Sequence, residues 1–203
     1  MTVRAPDDRF AAKVKADLAM WEIAWKKKAS PAMLVRLLLF EGGFQLTFLL
    51  RLVEAAGRVP VVGALLSLIL LYWTNRFFAC DFARRLTIGG GLFTPHPTGI
   101  VIGADVVIGR NVGIMHQVTI GRGRPGSHTS PRIEDGVYLS PGVKVIGELT
   151  VGAGSMVGAN AVVNRDIPAN SVAVGVPARV IKQNATPDAR TLSTADPLPS
   201  ERV

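Results

Sequence analysis

The sequence predicts a mainly β fold, a parallel β-helix of hexapeptide repeats, preceded by an α-helical region. Aliphatic residues recur at every sixth position over much of the second half, whereas the first half holds long leucine-rich runs ended by Gly or Pro. A period of six fits neither a helix nor a free alternating strand, but it suits short strands joined by tight corners. We therefore expect a helical region (1–80), a β-helix (81–181) and a disordered polar tail (182–203).

Three apolar runs predict the helices of the first region, at 31–40, 44–57 and 59–73. No charged residue lies between Arg58 and Arg76, a length at the bottom of the range for a membrane span. Pro60 and Gly63 weaken that interpretation. Basic residues at 26–28 precede the run, so docking on an anionic membrane surface is an alternative to a helix packed on partner subunits.

The repeats supply two sets of residues that should point into the coil. The first set is spaced by six with one interruption: Ile102, Ile108, Ile114, Ile120, Ile133, Leu139, Val145, Val151, Val157 and Val163. A second set follows four residues later and is almost entirely small or β-branched: Val106, Val112, Val118, Val137, Val143, Leu149, Ser155, Ala161 and Ile167. Both sets are predicted to stack along the interior.

The interruption between Ile120 and Ile133 predicts a loop that leaves the coil. The step is thirteen residues, one more than two repeats, and it contains the polar segment RGRPGSHTSPR at 122–132. This segment cannot pack inward. Loops on a rigid scaffold often contact ligands, so it is a candidate wall of a binding site.

A second interruption brings two histidines together. The step from Ile88 to Ile102 is fourteen residues, which leaves two surplus residues. If these lie within HPTGIV, Thr94 and Ile114 occupy the same position of successive coils. His96 and His116 would then also lie on successive coils, about 4.8 Å apart as neighbouring strands are.

Composition and net charge limit the expected cellular compartment and the expected classes of partner. The net charge of +8 points to a negative partner: nucleic acid, anionic lipid or a phosphate-bearing ligand. No aromatic and basic platform is evident, so nucleic acid is not expected. Cys80 is the one cysteine, which excludes a disulfide framework, and no secretory signal is visible. We expect a cytoplasmic protein, with association with the inner face of the membrane as an open alternative.

Residues 81–181 resemble the serine acetyltransferase type of hexapeptide acyltransferase, whose relatives include sugar and exopolysaccharide O-acetyltransferases. The strings that carry the resemblance are CDFARRLTIGGG, PHPTGIVIGADVVIGRNV, QVTIGRG, SPRIEDGVYLSPGVKVIGELTVGAGSMVGANAVV and AVGVPARVI. The resemblance implies a left-handed β-helix, a homotrimer with sites between neighbouring prisms, and acetyl-CoA as the acetyl donor. No metal is expected.

The resemblance also implies a catalytic pair. His96 stands at the family's general base, and Asp81, fifteen residues earlier, stands at its carboxylate partner. The chemistry fits, because a hydroxyl attacks a thioester at neutral pH only when a base takes its proton. A carboxylate would fix the imidazole tautomer. The alternatives are a corner histidine satisfied by local backbone and an aspartate that caps the junction between helix and coil.

The acceptor side departs from the serine enzymes. Their acidic residue before the catalytic histidine is Pro95 here, and their Arg-His pair in the loop is Thr129-Ser130. These losses favour a sugar hydroxyl of an exopolysaccharide or its precursor as acceptor, with L-serine as the alternative and a non-catalytic scaffold as a second. His116 and His128 are the predicted acceptor-binding residues, although either is also consistent with an ordinary solvated residue.

Transfer of the family's CoA-binding positions gives six candidates. Gly121, Arg122, Pro141 and Ala159 match positions along the groove between coils, and Arg132 and Arg179 are candidate phosphate partners. Arginine suits phosphate because its planar guanidinium donates two parallel hydrogen bonds. Each of the six is also consistent with an ordinary corner or surface residue.

Overall fold

The computed structural model describes residues 9–124, 126 and 129–183. Within them, four helices precede a set of short strands. The helices are α1 (Phe10–Trp25), α2 (Pro31–Phe40), α3 (Gly42–Gly57) and α4 (Val62–Phe78). The strands are β1 (Asp81–Phe82), β2 (Thr87–Ile88), β3 (Val101–Ile102), β4 (Val107–Ile108), β5 (Gly113–Ile114), β6 (Thr119–Gly121), β7 (Arg132–Ile133), β8 (Tyr138–Leu139), β9 (Lys144–Ile146), β10 (Thr150–Val151), β11 (Met156–Val157), β12 (Val162–Val163), β13 (Val172–Val174) and β14 (Arg179–Lys182).

The strands form three sheets that the chain visits in rotation. The first sheet has the order β1-β3-β6-β9-β12, the second β2-β4-β7-β10 and the third β5-β8-β11-β13-β14. From β3 to β12, successive strands lie in the first, second and third sheet in turn, and neighbours in each sheet are parallel except β13 and β14. This is the predicted parallel β-helix. Its left-handed sense stays a prediction.

The interior of the coil is built from the two predicted sets of residues. All ten positions of the first set are at most 2 % exposed, and all nine of the second are at most 5 % exposed. Burying an aliphatic side chain contributes about 1.5–3 kcal/mol. The stacked repeats therefore supply the main hydrophobic core, and the predicted inward register is confirmed.

The corners of the coil depend on residues that tolerate a left-handed backbone. Asp105, Asn111, Gln117, Asn160 and Asn170 all have φ between 53° and 62°. Asn and Asp adopt this conformation more readily than other residues with a side chain. Each of the five lies between two successive strands, where the chain turns from one sheet to the next.

The helical region agrees with the predicted runs and adds a helix. The prediction at 31–40 is confirmed as α2, α3 starts two residues before its run, and α4 begins after Pro60 and continues to Phe78. The additional helix is α1. Among the described residues no single helix is long and apolar enough to cross a bilayer, whereas α2 and α3 pass that test as a pair bent by 90°.

A buried ion pair fastens the helices to the first coil. The guanidinium of Arg51 in α3 donates to both carboxylate oxygens of Asp17 in α1, at 2.9 and 3.0 Å. The same guanidinium donates to the carbonyls of Ile88 and Gly89. Oδ1 of Asp17 accepts from the backbone N–H groups of Gly91 and Leu92. Both charged side chains are 2 % exposed, so this network closes the end of the coil without leaving their charges unpaired.

Candidate active site

Two histidines meet at the corner between the third and first sheets. Phe93 pairs with Gly113, and the N–H of Ile114 donates to the carbonyl of Phe93, so Thr94 and Ile114 lie at one level as predicted. The rings of His96 and His116 are 6.0 Å apart between centroids and nearly perpendicular. His96 is exposed, and His116 is half-buried.

A bulge explains why the histidines are farther apart than the spacing of neighbouring strands. The N–H of Gln117 donates to the carbonyl of Thr98, so the two surplus residues lie between Thr94 and Thr98. The N–H of Thr98 also donates to the carbonyl of His96, which closes a tight turn. The bulge therefore carries His96 itself, and it presents the imidazole to solvent beside a rigid coil.

Helix α3 holds the base of this bulge. The hydroxyl of Thr94 donates to the carbonyl of Gly43 at 3.2 Å, and the hydroxyl of Thr47 donates to the same carbonyl at 3.0 Å. Both threonines are about 1 % exposed. A Cβ added at Gly43 would lie 2.0 Å from the carbonyl oxygen of Thr94, so only glycine fits here. The start of α3 thus sets the position of the segment that carries His96.

We expect Gly43→Ala to displace this segment. The clash with backbone should reduce the free energy of unfolding by about 1–3 kcal/mol. A shift of about 1 Å at a reacting group can reduce activity about 10²-fold. Urea unfolding followed by circular dichroism measures the first effect. CoA release from acetyl-CoA, the reaction that the sequence predicts, measures the second.

Gly42→Ala is the matched control. The Cβ added there would lie 3.6 Å from side-chain carbons of Phe78 and Pro97, an ordinary contact. This variant should keep both stability and activity. Equal behaviour of the two variants would contradict the role assigned to Gly43.

Asp81 is the first residue of β1, which pairs with β3, the strand that follows the bulge. It pairs in register with Val101, its N–H donates to the carbonyl of Ile100 at 2.8 Å, and its side chain is exposed. The preceding residue, Cys80, donates its thiol to the carbonyl of Pro97 at 3.4 Å, so the two segments adjoin. No hydrogen bond or ion pair joins the carboxylate of Asp81 to His96 among the contacts of the described residues. The catalytic pair stays a prediction.

The thiol of Cys80, beside this junction, is partly buried, and this burial affects its reactivity. Burial raises the pKa of Cys80, against a smaller lowering of the pKa by hydrogen bonds from the backbone of Ile100 and Gly99. A raised pKa leaves less thiolate at neutral pH, so the side chain is a poor nucleophile. Acyl transfer through a cysteine intermediate is therefore disfavoured.

The ring of His116 has an unsatisfied atom. Its Nδ1 is buried and has no hydrogen-bond partner among the described residues. Leaving such an atom unpaired costs about 1–3 kcal/mol. Unpaired buried polar atoms in native proteins call for an explanation, and one explanation is a group that binds there.

The loop after β6 is tied to the coil by polar contacts. The hydroxyl of Ser130 donates to the carbonyl of Ala104 at 2.7 Å, and Nε of Arg122 donates to that hydroxyl at 3.2 Å. Arg122 also pairs with Asp105 at 2.5 Å, and Arg85 pairs with the same carboxylate at 2.8 Å. The chain leaves the coil between Gly121 and Arg132, as predicted.

The predicted acceptor and CoA residues are divided between different parts of the surface. His128 lies outside the described residues. The N–H of Gly142 donates to the carbonyl of His116, and the N–H of Asn160 donates to the carbonyl of Pro141. His116, Pro141 and Ala159 therefore occupy equivalent corners of successive coils. We call this corner, together with His96, the histidine edge.

The remaining candidates lie elsewhere. Gly121 and Arg122 are at the opposite end of the first sheet, and a Cβ added at Gly121 would contact nothing within 4 Å. Arg132 is exposed in the second sheet. Arg179 is exposed in β14, where its guanidinium donates to the carbonyl of Ala178. A single chain thus does not bring all six CoA candidates to one surface.

Sequence reasoning missed the residues that position His96. Thr47 lies in a run that is typical of an ordinary helix, Gly43 lies just before that run, and Thr94 reads as a substitution at an aliphatic position. The one available signal was the polar residue at that inward position. The sequence did not indicate its partner in α3, because Thr47 and Thr94 are 47 positions apart.

The architecture and the sequence both match known proteins. The chain is 42 % identical over 140 residues to a serine acetyltransferase of Bacillus licheniformis, with 62 % of this chain and 65 % of that protein covered. The structure of a soybean serine acetyltransferase matches with a TM-score of 0.74 and 34 % identity over 86 % of this chain and 70 % of that one. The chain belongs to the serine acetyltransferase-like hexapeptide family.

Further comparisons show how far the similarity to this hexapeptide family extends. A solved complex of a serine acetyltransferase with CoA matches with a TM-score of 0.70 and 28 % identity. The chain spans less than two thirds of the curated relatives it matches, down to 30 % of a mitochondrial serine acetyltransferase of Arabidopsis thaliana. No model of a protein family matches it. These relatives are serine enzymes, and they give no support to a closer kinship with exopolysaccharide O-acetyltransferases.

Proposed function

We propose that this protein is an O-acetyltransferase that moves an acetyl group from acetyl-CoA to a hydroxyl, with His96 as the general base. The observation that carries the proposal is the exposed imidazole of His96, presented on a bulge beside His116 in a coil that matches serine acetyltransferases. An exposed base on a rigid scaffold can reach an incoming hydroxyl.

The proposed reaction needs one base and no covalent enzyme intermediate. His96 takes the proton of the acceptor hydroxyl while its oxygen attacks the carbonyl carbon of the thioester. The C–S bond then breaks, and the departing CoA sulfur takes the proton back from the imidazolium. The products are the acetyl ester and free CoA. Asp81 would hold the imidazole and stabilise its charged form.

We further propose that the site is completed by a homotrimer. The histidine edge and the candidates Gly121, Arg122 and Arg132 lie on different parts of one chain, so a neighbouring prism must supply some of them if all contact CoA. Arg132 and Arg179 are exposed and suited to the CoA phosphates. Arg122 is already paired with Asp105, so it would have to exchange partners.

L-serine is the leading candidate acceptor, because the matched relatives are named serine acetyltransferases. This differs from the preference for a sugar that the sequence suggests. We rank L-serine above a sugar because family membership is the stronger of the two arguments, although the expected contacts to an amino acid are missing.

A sugar hydroxyl is the second candidate acceptor. The observation that favours it is the loss of charge where an amino acid would be held, at Pro95, Thr129 and Ser130. In the structure, the hydroxyl of Thr129 donates to Glu148 and that of Ser130 to the backbone, so neither replaces a cation. The unpaired Nδ1 of His116 is a contact for either acceptor.

An acceptor panel tests the proposal. Purified protein is given acetyl-CoA with L-serine or with a series of monosaccharides and nucleotide sugars, and CoA release is measured. We expect L-serine to support turnover, and mass spectrometry should find the acetyl group on oxygen. Turnover with a sugar alone would move the assignment to the second candidate. Release with no acceptor, unchanged in His96→Ala, would contradict O-acetyl transfer.

A further inference from the structure

Helix α4 presents a broad apolar surface to solvent. Eight of its apolar side chains are between 44 % and 77 % exposed: Val62, Leu65, Leu66, Leu68, Ile69, Tyr72, Trp73 and Phe77. Their spacing of three and four residues places them on one half of the helix. We call this surface the α4 outer face.

The opposite half of α4 is the one that packs on the protein. Its buried residues are Gly63, Ser67, Leu71, Thr74 and Phe78, and α3 is the helix it contacts most. A helix that is apolar all round is normally buried in protein or in lipid. A contiguous exposed patch of this kind marks an interaction surface.

The charge of the outer face identifies its partner. The one charged residue on it is Arg76, and α4 contains no Asp or Glu. Arg76 makes no hydrogen bond or ion pair among the described contacts. In a two-fold contact between two copies, its guanidinium would face the same acid-free helix and lose its hydration without a partner. A surface of anionic headgroups would pair with it.

The side chains next to Arg76 fit the boundary between lipid and water. Tyr72 and Trp73 lie one turn before it and contact each other edge to face. Aromatic residues of this kind concentrate at the headgroup level of bilayers. The long side chain of Arg76 can bury its methylene groups while its charge stays with the headgroups.

We propose that the α4 outer face docks on an anionic lipid bilayer, with the helix in the plane of the membrane. Val62, Leu65, Ile69 and Phe77 would enter the acyl boundary, and Arg76 would contact lipid phosphate. The net charge of +8 adds a long-range attraction to the same surface. This inference is independent of the proposed acetyl transfer.

Vesicle binding tests the proposal with the full chain. The protein is mixed with vesicles of phosphatidylcholine containing phosphatidylglycerol, or with pure phosphatidylcholine, and the bound fraction is measured by sedimentation. We expect binding to the anionic vesicles. Ile69→Glu should weaken it at least about tenfold, and Arg76→Gln should weaken it about fivefold.

Ile181→Glu is the matched control, because Ile181 is an exposed isoleucine on β14 rather than on α4. It should bind as the wild type does. A second readout is tryptophan fluorescence, which should shift to the blue with anionic vesicles in the wild type but not in Trp73→Phe.

Two outcomes would overturn the proposal. One is equal vesicle binding by the wild type and Ile69→Glu. The other is no binding by the wild type, together with a smaller molar mass for Ile69→Glu in light scattering, which would show that a second copy covers the face.

Discussion

Replacing His96 by glutamine should reduce kcat/KM for acetyl transfer by about 10²–10⁴-fold, the usual contribution of a positioned general base. Glutamine is close in size and can form hydrogen bonds, but it cannot accept a proton at neutral pH. Most of the loss should fall on kcat, because the base acts as the transition state forms. Initial rates of CoA release with the acceptor identified by the panel measure it.

His116→Gln is the matched comparison, because it makes the same substitution in the neighbouring imidazole ring. We expect a change of at most about tenfold, mainly in KM for the acceptor, as for a residue that contributes to binding. The reverse result, with kcat abolished in His116→Gln and retained in His96→Gln, would assign the base to His116.

The largest expected loss of stability follows from Arg51→Met. This change leaves the carboxylate of Asp17 buried with only two backbone N–H donors, and it leaves the carbonyls of Ile88 and Gly89 without this donor. Removing one partner of a buried ion pair costs about 3–5 kcal/mol. Urea unfolding at a fixed protein concentration should show the midpoint falling accordingly.

Arg58→Met provides the control for that experiment. Arg58 caps α3 and pairs with Glu54, but its side chain is half exposed. The variant should lose no more than about 0.5 kcal/mol, as is typical of surface pairs. The double variant Arg51→Met with Asp17→Leu should recover part of the loss, because it removes the stranded charge. A similar loss in Arg51→Met and Arg58→Met would contradict the role of the buried pair.

The repeat architecture could be predicted from the sequence because one physical rule acts at every coil. Each sixth side chain must point into the same narrow interior, so Ile102 and Val163 obey the same restriction although they lie far apart in the chain. The bulge at His96 was also predictable. A surplus of two residues in a rigid register must leave the coil somewhere between Ile88 and Ile102.

The helical region was less predictable because tertiary contacts override its local pattern. Helix α1 buries Lys13 and Asp17. These charged residues interrupt the apolar periodicity that would otherwise predict its buried face. They are tolerated because Lys13 pairs with Glu54 and Asp17 with Arg51, residues 41 and 34 positions away. Such pairings follow no periodicity that a single sequence displays.

The candidate site was predictable in its parts but not in its assembly. The level shared by Thr94 and Ile114 is confirmed. Pro141 and Ala159 lie at the corner before the first sheet, and Gly121 lies at the corner after it. The spacing of the repeats fixes these places on one chain, but it does not show which neighbouring chain faces each of them.

Chemical rescue of His96→Gly tests the central claim most directly, because it asks whether an imidazole at this position performs the chemistry. We expect the variant to release CoA very slowly, and we expect added imidazole to restore acceptor-dependent release in proportion to its concentration, with no such effect on the wild type. Release by His96→Gly at the wild-type rate without imidazole would contradict the assignment of His96 as the base.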